Sequence, residues 1–372
     1  TGTGYHNRYS YKINAHAKYS HPEEYKNRPT SKGYYINAYL ENARTLVHRI
    51  KETGFPFNFE IEENEDIDAL QDKITQRLNF FLDSYPTLLF TRSHISLRRK
   101  NLKQRPVYAV DDLFLTIEVM LTFPLLVQAR IHESCIMYGL ETIRGSNIYL
   151  DSIAKSFRSF FTIDWSQYDQ RLPRVITDLF YTDFLERLIV ISHGYQPTYE
   201  YPTYPDLTEE LMFKRMDNLL SFLHLWYNNM TFLSLDGYAY RRTAAGVPSG
   251  QLCTQYLDSF GNMFLLLDGM MEYAYSDEEI QKILLLVMGD DNSGFTHLHI
   301  GQLHEFIKWF EKYAFTKYNM VLSHTKSVIT PNRLRLETLS YACNGGMPTK
   351  SLDKLIAQLI FPERGTDRRY MS

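Results

Sequence analysis

Hydrophobic positions in the second half of the chain alternate between strand-like and helix-like spacing. The segment SFFTID, residues 159–164, predicts a strand with Phe161 and Ile163 on one face that ends at Asp164. Further along, apolar residues recur at i, i+3, i+4 and i+7, which predicts an amphipathic helix with one buried face. This stripe consists of Leu303, Phe306, Ile307 and Phe310. The segments MVLSHTKSVI and LRLETLSYAC predict two further strands.

Between these elements the pattern indicates a loop, a long helix and a hairpin. The segment AAGVPSG, residues 244–250, predicts a Gly/Pro loop that leads into a helix from Gln251 to about Tyr273. The apolar run ILLLVM, the turn GDD and the segment GFTHLHI predict a β-hairpin. The order strand, helix, hairpin, helix, strand is typical of an α+β fold with helices on one face of an antiparallel sheet.

The first half of the chain is less regular. Residues 1–40 show little periodicity and predict a loop-rich layer. The acidic stretch from Glu60 to Asp68 predicts the start of a solvated helix, and helical periodicity dominates residues 111–143. The Pro/Tyr-rich stretch YQPTYEYPTYPD, residues 195–206, predicts a surface loop.

Composition limits the class of protein. The chain has 372 residues, enough for one large or two ordinary domains, and 44% hydrophobic with 22% charged residues is typical of a globular protein. The cysteines are far apart and odd in number, so we expect no disulfide framework and a reducing compartment. They are Cys135, Cys253 and Cys343. The longest apolar run, residues 113–129, is broken by Glu118 and Pro124, so we expect a buried helix there and no membrane partner.

Positive charge is local rather than global. The net charge of −3 excludes an overall basic signature of nucleic-acid binding. One basic cluster lies between Arg92 and Val110, with no acidic residue before Asp111. Its cations are Arg92, Arg98, Arg99, Lys100, Lys103 and Arg105. The cluster can contact phosphates, and a solvated charge run is the alternative interpretation.

Two pairs of aspartates follow predicted strands. DWSQYD places Asp164 and Asp169 at the end of one strand, and GDD places Asp290 and Asp291 in the hairpin turn. If the strands are neighbours, Asp164 and Asp290 project from one edge, where carboxylates repel unless a cation lies between them. Mg²⁺ binds such oxygen ligands together with substrate phosphates, and two ions can hold both reacting oxygens of a phosphoryl transfer. A solvated Asp-Asp turn is the alternative interpretation.

The segment GVPSGQLCTQYLDSFGN lies between the aspartate pairs. Gly246 and Gly250 permit the backbone of this loop to approach a ligand closely, and Ser249 can cap the helix or reach a ligand. A polar line then follows one helix face, formed by Thr254, Asp258 and Asn262. In this position the set predicts a surface for a ribose and a base, with an ordinary N-cap and a solvated face as the alternative.

The order of these motifs resembles that of viral RNA-dependent RNA polymerases. DWSQYD, PSG with its following threonine, GDD and HTKS stand in the order of motifs A, B, C and D of that family. DWSQYDQRLP, SGQLCTQYLDSFGN and GDDNSGF resemble in particular the partitivirus polymerases of double-stranded RNA viruses. The resemblance implies a right-hand architecture of fingers, palm and thumb, with a ferredoxin-like palm.

The resemblance also implies catalytic roles. Asp164 and Asp290 match the principal metal ligands and Asp291 a secondary one, for two Mg²⁺ or Mn²⁺ ions. Lys326 matches the motif D lysine, a candidate acid that protonates the pyrophosphate leaving group, and Lys317 is the competing choice.

A nucleotide pocket and an RNA path are implied in the same way. Asp169 would lie near the incoming ribose and select NTP over dNTP, while Arg105 of KQRPV, which resembles motif F, would contact the triphosphate with help from Lys103. The pocket would be completed by Ser249, Gly250, Thr254, Asp258 and Asn262. Many family members have asparagine where this chain has Asp258, so either Asp258 or Asn262 completes the ribose contact. The residues implied to line the NTP tunnel or hold template phosphates are Arg98, Arg99 and Lys100.

The motif positions imply a division of the chain. The expected regions are the N-terminal region and fingers (1–155, with motif F at about 92–110), palm with motif A (156–185), a fingers insertion (186–240), palm with motifs B to E (241–350) and the start of a thumb (351–372). Because the chain begins at Thr1 rather than Met and stops at Ser372, we expect a fragment with a largely truncated thumb.

The resulting hypothesis is template-directed nucleotidyl transfer from NTPs to the 3′-OH of growing RNA, for replication and transcription of a double-stranded RNA virus. Expected partners are template and product RNA, NTPs and the viral capsid protein, and the expected location is the host cytoplasm, inside the virion. The alternatives are another palm-type enzyme, such as a reverse transcriptase or a nucleotide cyclase, and a non-catalytic virion RNA-binding protein. Gly289 before the aspartates argues against a reverse transcriptase, and the motif B loop argues against a cyclase.

Three histidines have loose metal-ligand spacing. They are His297, His299 and His304. No cysteine or carboxylate partner stands at a suitable distance along the chain, so we expect hairpin and helix surface positions rather than a zinc site.

Overall fold

The computed structural model describes residues 32–60, 66–94, 103–130, 134–140, 145–189, 207–323 and 325–361, with the side chains of 32–42, 93–94 and 103–104 left out. The helices of this part are α1 (Lys32–Thr53), α2 (Ile67–Ser84), α3 (Asp112–Gln128), α4 (Ser146–Ala154), α5 (Tyr168–Arg171), α6 (Arg174–Leu179), α7 (Glu186–Leu188), α8 (Glu209–Asn228), α9 (Thr254–Glu272), α10 (Asp277–Gln281), α11 (Ile300–Tyr318) and α12 (Leu352–Ile360). A π-helical stretch, Phe180–Leu185, joins α6 to α7, and a 3₁₀ turn spans Arg333–Arg335.

The strands form three separate sheets. They are β1 (Thr87–His94), β2 (Lys103–Ala109), β3 (Ser159–Thr162), β4 (Thr231–Ser234), β5 (Ala239–Arg241), β6 (Leu284–Met288), β7 (Asp291–Thr296), β8 (Val328–Thr330), β9 (Glu337–Thr338), β10 (Tyr341–Asn344) and β11 (Met347–Thr349). Their orders are β2-β1-β4-β5, β11-β10-β9 and β6-β7-β3-β8.

The sheet β6-β7-β3-β8 is antiparallel throughout. Along the chain its elements run β3, α9, β6, β7, α11, β8, which is the βαββαβ order of a ferredoxin-like unit with the two hairpin strands on one side of β3. The prediction of an α+β, ferredoxin-like layer is therefore confirmed. All four residues of β3 are buried, so both faces of the strand are covered.

Helices α9 and α11 pack closely together beside this sheet. The predicted apolar stripe of α11 is confirmed, since Leu303, Phe306, Ile307 and Phe310 are all buried. A Cβ at Gly269 of α9 would lie 2.4 Å from the ring of Phe310. Glycine at this position therefore permits the close contact between the two helices.

Helices α2, α3 and α8 pack together through aromatic side chains. Trp226 of α8 lies at the centre of an aromatic cluster, with ring centroids 5.4–5.8 Å from those of Phe81, Phe114 and Phe222. Edge-to-face contacts of this kind add to the burial of the rings themselves. The cluster joins the three helices, which come from separate parts of the chain.

Several predicted boundaries were wrong. Helix α1 begins at Lys32, inside the region expected to be loop-rich. Helix α3 ends at Gln128 rather than at 143, because the backbone of Cys135 and Met137 pairs with Val287 of β6. Of the strand expected from 320 to 329, Leu322 makes only an isolated bridge to Trp165, and β8 begins at Val328.

Two other predictions fall partly outside the described residues. The acidic stretch is described from Asp66 onward, where α2 begins at Ile67 with exposed residues at its start. The surface loop predicted for 195–206 lies outside the described ranges, as do residues 1–31. In the described part of the chain, no helix combines the length and apolar character that crossing a membrane requires.

Candidate active site

The central sheet brings the two aspartate motifs together. Strand β3 pairs with β7 so that Phe161 lies opposite Gly294, and continuing this register places Asp164 opposite Asp291. Met288 pairs with Asp291 across the hairpin, which leaves Gly289 and Asp290 as a two-residue turn. The two strands are therefore neighbours, and their carboxylates share one end of the sheet.

Glycine at position 289 has a structural reason. Its φ of +64° is a left-handed conformation that glycine adopts without strain, and a Cβ there would lie 2.7 Å from Nε2 of Gln255. The backbone N–H of Gly289 donates to Oγ of Ser259 at 2.8 Å. Helix α9 thus supports the turn that presents Asp290.

Two buried asparagines tie the aspartate strands to α9. Nδ2 of Asn262 donates to the carbonyl of Gly289 at 2.9 Å, and its Oδ1 accepts from Nε1 of Trp165 at 3.0 Å. Asn292 pairs with both backbone groups of Ile163, at 2.8 and 2.9 Å, and also donates to Oδ1 of Asn262. These bonds fix the end of β3 relative to the turn.

The predicted role of Asn262 in the nucleotide pocket stays a prediction, and the contacts of its side chain are with the protein itself. Its side chain is fully buried, and both of its polar atoms are used by Trp165, Gly289, Asp291 and Asn292. Asp258 occupies the more suitable position, one turn nearer the start of α9. Its Oδ1 is buried without a hydrogen-bond partner in the described structure, and its charge interacts with those of Asp169 and Asp290.

The carboxylates repel one another. Both Asp290 and Asp291 remain accessible to solvent, but many protein atoms surround them, and this desolvation raises both pKa values, that of Asp291 to about 6. The charge of Asp164 raises both pKa values further. Burial and then the charge of Asp290 also raise the pKa of Asp169. Arg105 is close enough to lower the pKa of all three, so motif F contributes the compensating charge.

The loop before α9 packs against both motif A and motif F. The N–H of Val247 donates to the carbonyl of Asp169 at 2.7 Å. The hydroxyl of Thr254 bonds within the loop, to the carbonyls of Pro248 and Gln251. At Gly250 a Cβ would lie 1.9 Å from the carbonyl oxygen of Tyr108 in β2. The close approach predicted for Gly250 is therefore made to protein backbone, while the neighbouring Ser249 is exposed and available to a ligand.

The structure distinguishes between the two candidate lysines. Nζ of Lys326 lies 3.0 Å from Oδ1 of Asp164, beside the candidate site. Nζ of Lys317 instead bonds to Asp268 at 3.2 Å and to the hydroxyl of Tyr313 at 2.5 Å, on the side of α9 where α11 packs. Lys317 is therefore held elsewhere, and Lys326 remains the candidate.

Some of the predicted site residues lie outside the described part of the chain. Arg98, Arg99 and Lys100 fall within the undescribed residues 95–102, and only the backbone of Lys103 is described, at the start of β2 opposite His94. Their predicted contacts with RNA and triphosphate stay predictions. Of the three histidines, His297 stacks on Phe157 and His299 caps α11.

The carboxylate set suits a hard cation. Among the described side chains, no three of His, Cys, Asp or Glu are arranged to hold one metal ion as they stand. The oxygen donors of Asp164, Asp290 and Asp291 nevertheless share one end of the sheet, and their mutual repulsion, visible in the raised pKa values of the last two, is what a bound cation would relieve.

Removing one carboxylate should change the pH dependence of stability. The folded-state pKa of Asp291 is raised from 3.8 to about 6, so its contribution to stability is present below 3.8 and is lost as pH rises through about 6. Without divalent metal, Asp291→Asn should therefore melt higher than the wild type at pH 7, with a much smaller difference at pH 4. Thermal unfolding in EDTA measures this, with Asp217→Asn, an exposed change on α8, as control. Equal differences at both pH values would contradict the prediction.

Sequence reasoning missed three residues of this region. Ser259 and Asn292 hold the aspartate strands, and Glu118 of α3 accepts three hydrogen bonds from Leu252 and Cys253, directly before α9. The sequence does carry a signal for Glu118, because an acidic residue there interrupts an otherwise apolar run.

Comparison with known sequences is consistent with this geometry. The family profile described as "Viral RNA-dependent RNA polymerase" matches residues 119–341, more than half of the chain. The chain is 42% identical over 98% of its length to an RNA-directed RNA polymerase of Atkinsonella hypoxylon virus (isolate 2H), of which it covers 56%. It is 27% identical over 74% of its length to that of White clover cryptic virus 1 (isolate Boccardo/2004), of which it covers 45%. The chain spans about half the length of these curated relatives.

Two similar solved structures share the fold. The RNA-dependent RNA polymerase of a human picorbirnavirus matches with a TM-score of 0.52 and 14% identity, over 76% of this chain and 49% of that one. Its insertion loop deletion mutant matches with a TM-score of 0.54 and 12% identity, over 76% and 50%. At these identities the likeness shows the fold alone.

Proposed function

The chain belongs to the viral RNA-dependent RNA polymerases, with a partitivirus polymerase among its relatives, and we propose that it carries the catalytic part of an enzyme that extends RNA on a template. The observation that supports this most directly is the position of Asp164 on β3 beside the Asp290–Asp291 turn. Buried side chains of α9 hydrogen-bond to the backbone of the turn and hold the two aspartate motifs in place.

In the proposed reaction the 3′-OH of growing RNA attacks the α-phosphate of an NTP. The new bond joins that oxygen to the α-phosphorus, the bond to the β-phosphate oxygen breaks, and pyrophosphate leaves. Two Mg²⁺ or Mn²⁺ ions, when bound by Asp164, Asp290 and Asp291, would offset the negative charge of the reacting oxygens. The protein would contribute mainly orientation and electrostatic stabilisation.

The residues around the carboxylates fit the parts of an NTP. Arg105, which attracts Asp169, Asp290 and Asp291, would receive the triphosphate. Asp169, Asp258 and the exposed hydroxyl of Ser249 lie where a ribose 2′-OH could be recognised, since Asp258 interacts electrostatically with both Asp169 and Asp290. An acceptor for a 2′-OH favours NTP over dNTP, because the dNTP leaves that polar group unpaired.

The test is nucleotide incorporation by the full-length polypeptide that carries this chain. With an RNA template and Mg²⁺, we expect template-dependent incorporation of NTPs and poor use of dNTPs. A preference for dNTPs would instead support a reverse transcriptase. RNA binding without incorporation would support a non-catalytic virion protein.

Lys326 should affect the chemical step. If Lys326 acts as an acid near the leaving group, Lys326→Met should lower kcat by about 10²-fold and change KM for NTP less. The matched control is Lys317→Met, because Lys317 is held by Asp268 and should leave the rate unchanged. Pre-steady-state incorporation across a pH series measures both variants. Equal loss of rate in the two variants would contradict the role of Lys326.

Membership of the polymerase family also suggests a biological setting. We infer that the protein acts in genome replication and transcription of a double-stranded RNA virus, with the capsid protein as partner, inside the virion in the host cytoplasm. The division into fingers, palm and the start of a thumb belongs to the same proposal. Polymerase activity that sediments with virus particles would support this setting, and activity confined to the particle-free fraction would contradict it.

A further inference from the structure

Glu118 is a fully buried acidic residue inside the apolar helix α3. Its Oε2 accepts from the N–H of Leu252 at 2.7 Å, and its Oε1 accepts from the N–H of Cys253 at 3.0 Å and from the thiol of Cys253 at 2.7 Å. All three donors lie directly before α9. A carboxylate buried this deeply is costly unless it is well hydrogen-bonded, and these contacts provide the bonding.

The start of α9 needs such a partner. The first backbone N–H groups of a helix have no acceptor within the helix, and they are usually satisfied by a side chain at the N-cap. Cys253 stands at the N-cap of α9 and makes no capping hydrogen bond of its own. Glu118 instead binds the backbone N–H of this N-cap residue and of the residue before it, from a different helix that lies 134 residues earlier in the chain.

What Glu118 holds is connected to the whole candidate site. Upstream, the loop 246–250 contacts Asp169 through Val247 and lies against Tyr108 at Gly250. Downstream, α9 carries Asp258 and the two residues that support the Gly289 turn, Ser259 and Asn262. The carboxylate is thus placed where the loop and the helix meet.

We propose that Glu118 is a positioning residue for nucleotide binding, which fixes the 246–253 loop and the first turn of α9 so that the ribose-facing groups stay in register. This inference rests on the proposed function. Loss of the contact should disturb KM for NTP and the preference for NTP over dNTP more than the chemical step, because the metal-binding aspartates have their own supports.

The decisive variant is Glu118→Gln in the full-length polypeptide. It keeps the shape of the side chain but replaces one acceptor oxygen by an NH₂ group, which faces a backbone donor. Leu121→Ala is the matched structural control, since it also weakens α3 in the core, at a buried residue one turn away. Cys253→Ala keeps both backbone bonds and removes only the thiol. Glu118→Asp, which shortens the reach but keeps the charge, serves if the glutamine variant does not fold.

Two measurements test the proposal separately. Hydrogen exchange of peptides that contain Leu252 and Cys253 should become roughly tenfold faster or more in Glu118→Gln and remain near wild type in the two controls. KM for NTP should rise by about tenfold, and discrimination against dNTP should fall, in the same variant only. Glu118→Asp should move both measurements in the same direction by less.

Each outcome supports or overturns the role proposed for Glu118. Faster exchange together with changed KM and discrimination supports the proposal. Faster exchange with KM and discrimination unchanged shows that the contact serves folding alone, and this result overturns the proposal. Unchanged exchange overturns the contact itself. A wild-type protein that incorporates no nucleotide would count against the proposed function, and the exchange result would still uphold or overturn the contact.

Discussion

Asp290→Asn is expected to abolish nucleotide incorporation while leaving the protein folded and, without metal, more stable. Asparagine keeps the size of the side chain but removes the charge that would bind a cation, so we expect the rate to fall by at least about 10³-fold. Stability should move in the opposite direction. Burial and the charge of Asp164 both raise the pKa of Asp290, so ionising this carboxyl costs more free energy in the folded state than in the unfolded state.

The two opposite effects make this prediction specific. A variant that loses activity because it unfolds cannot also melt at a higher temperature. Asp217→Asn removes an exposed carboxylate on α8 and should change neither quantity. The measurements are single-nucleotide incorporation with Mg²⁺ and thermal unfolding in EDTA, both at pH 7. Unchanged incorporation by Asp290→Asn would refute the metal assignment.

Gly250→Ala should be the most damaging single-methyl change in the loop 246–250. The added Cβ would lie 1.9 Å from the carbonyl oxygen of Tyr108 and 2.8 Å from its carbonyl carbon. Both are backbone atoms of β2, so no side-chain rotation can relieve the overlap. Either the loop or β2 must move, at a cost of about 3 kcal/mol, and the shift displaces the neighbouring Ser249. We expect the loss of most activity together with a clear drop in unfolding free energy.

The matched control is Gly301→Ala. Gly301 lies in the first turn of α11, where a Cβ would meet only Nδ1 of His299 at an ordinary 3.5 Å. Alanine there should stabilise the helix slightly, by up to about 1 kcal/mol. Denaturant unfolding and the incorporation assay compare the two variants. Similar behaviour of Gly250→Ala and Gly301→Ala would show that the loop tolerates the added methyl group.

Local pattern and motif order were enough to predict the central layer and its acids. Strand β3, the hairpin β6–β7 and helix α11 each have a periodicity that tertiary contacts do not override. The sequence left open whether β3 lies beside the hairpin. The structure supplies this pairing and its register, which place Asp164 beside Asp291.

The sequence did not predict which polar residues serve the scaffold. Asp258 and Asn262 stand one turn apart on one face of α9, and periodicity treats them alike. What separates them is the approach of Trp165 and Asn292, which come from other elements. Glu118 and Leu252 are likewise distant in sequence, so no local pattern could reveal their contact. The early end of α3 has the same cause, since pairing with Val287 replaces helical hydrogen bonds.

The buried amides behind the aspartates have a consequence for how the site responds to its contents. Asn262 and Asn292 connect Trp165, Ile163 and Gly289 through neutral groups that neither gain nor lose a proton at any working pH. The acids in front of them change charge whenever protons or cations arrive or depart. Because the charge of these amides does not change in such events, protons and cations can bind and leave without rearranging the backbone that positions the acids.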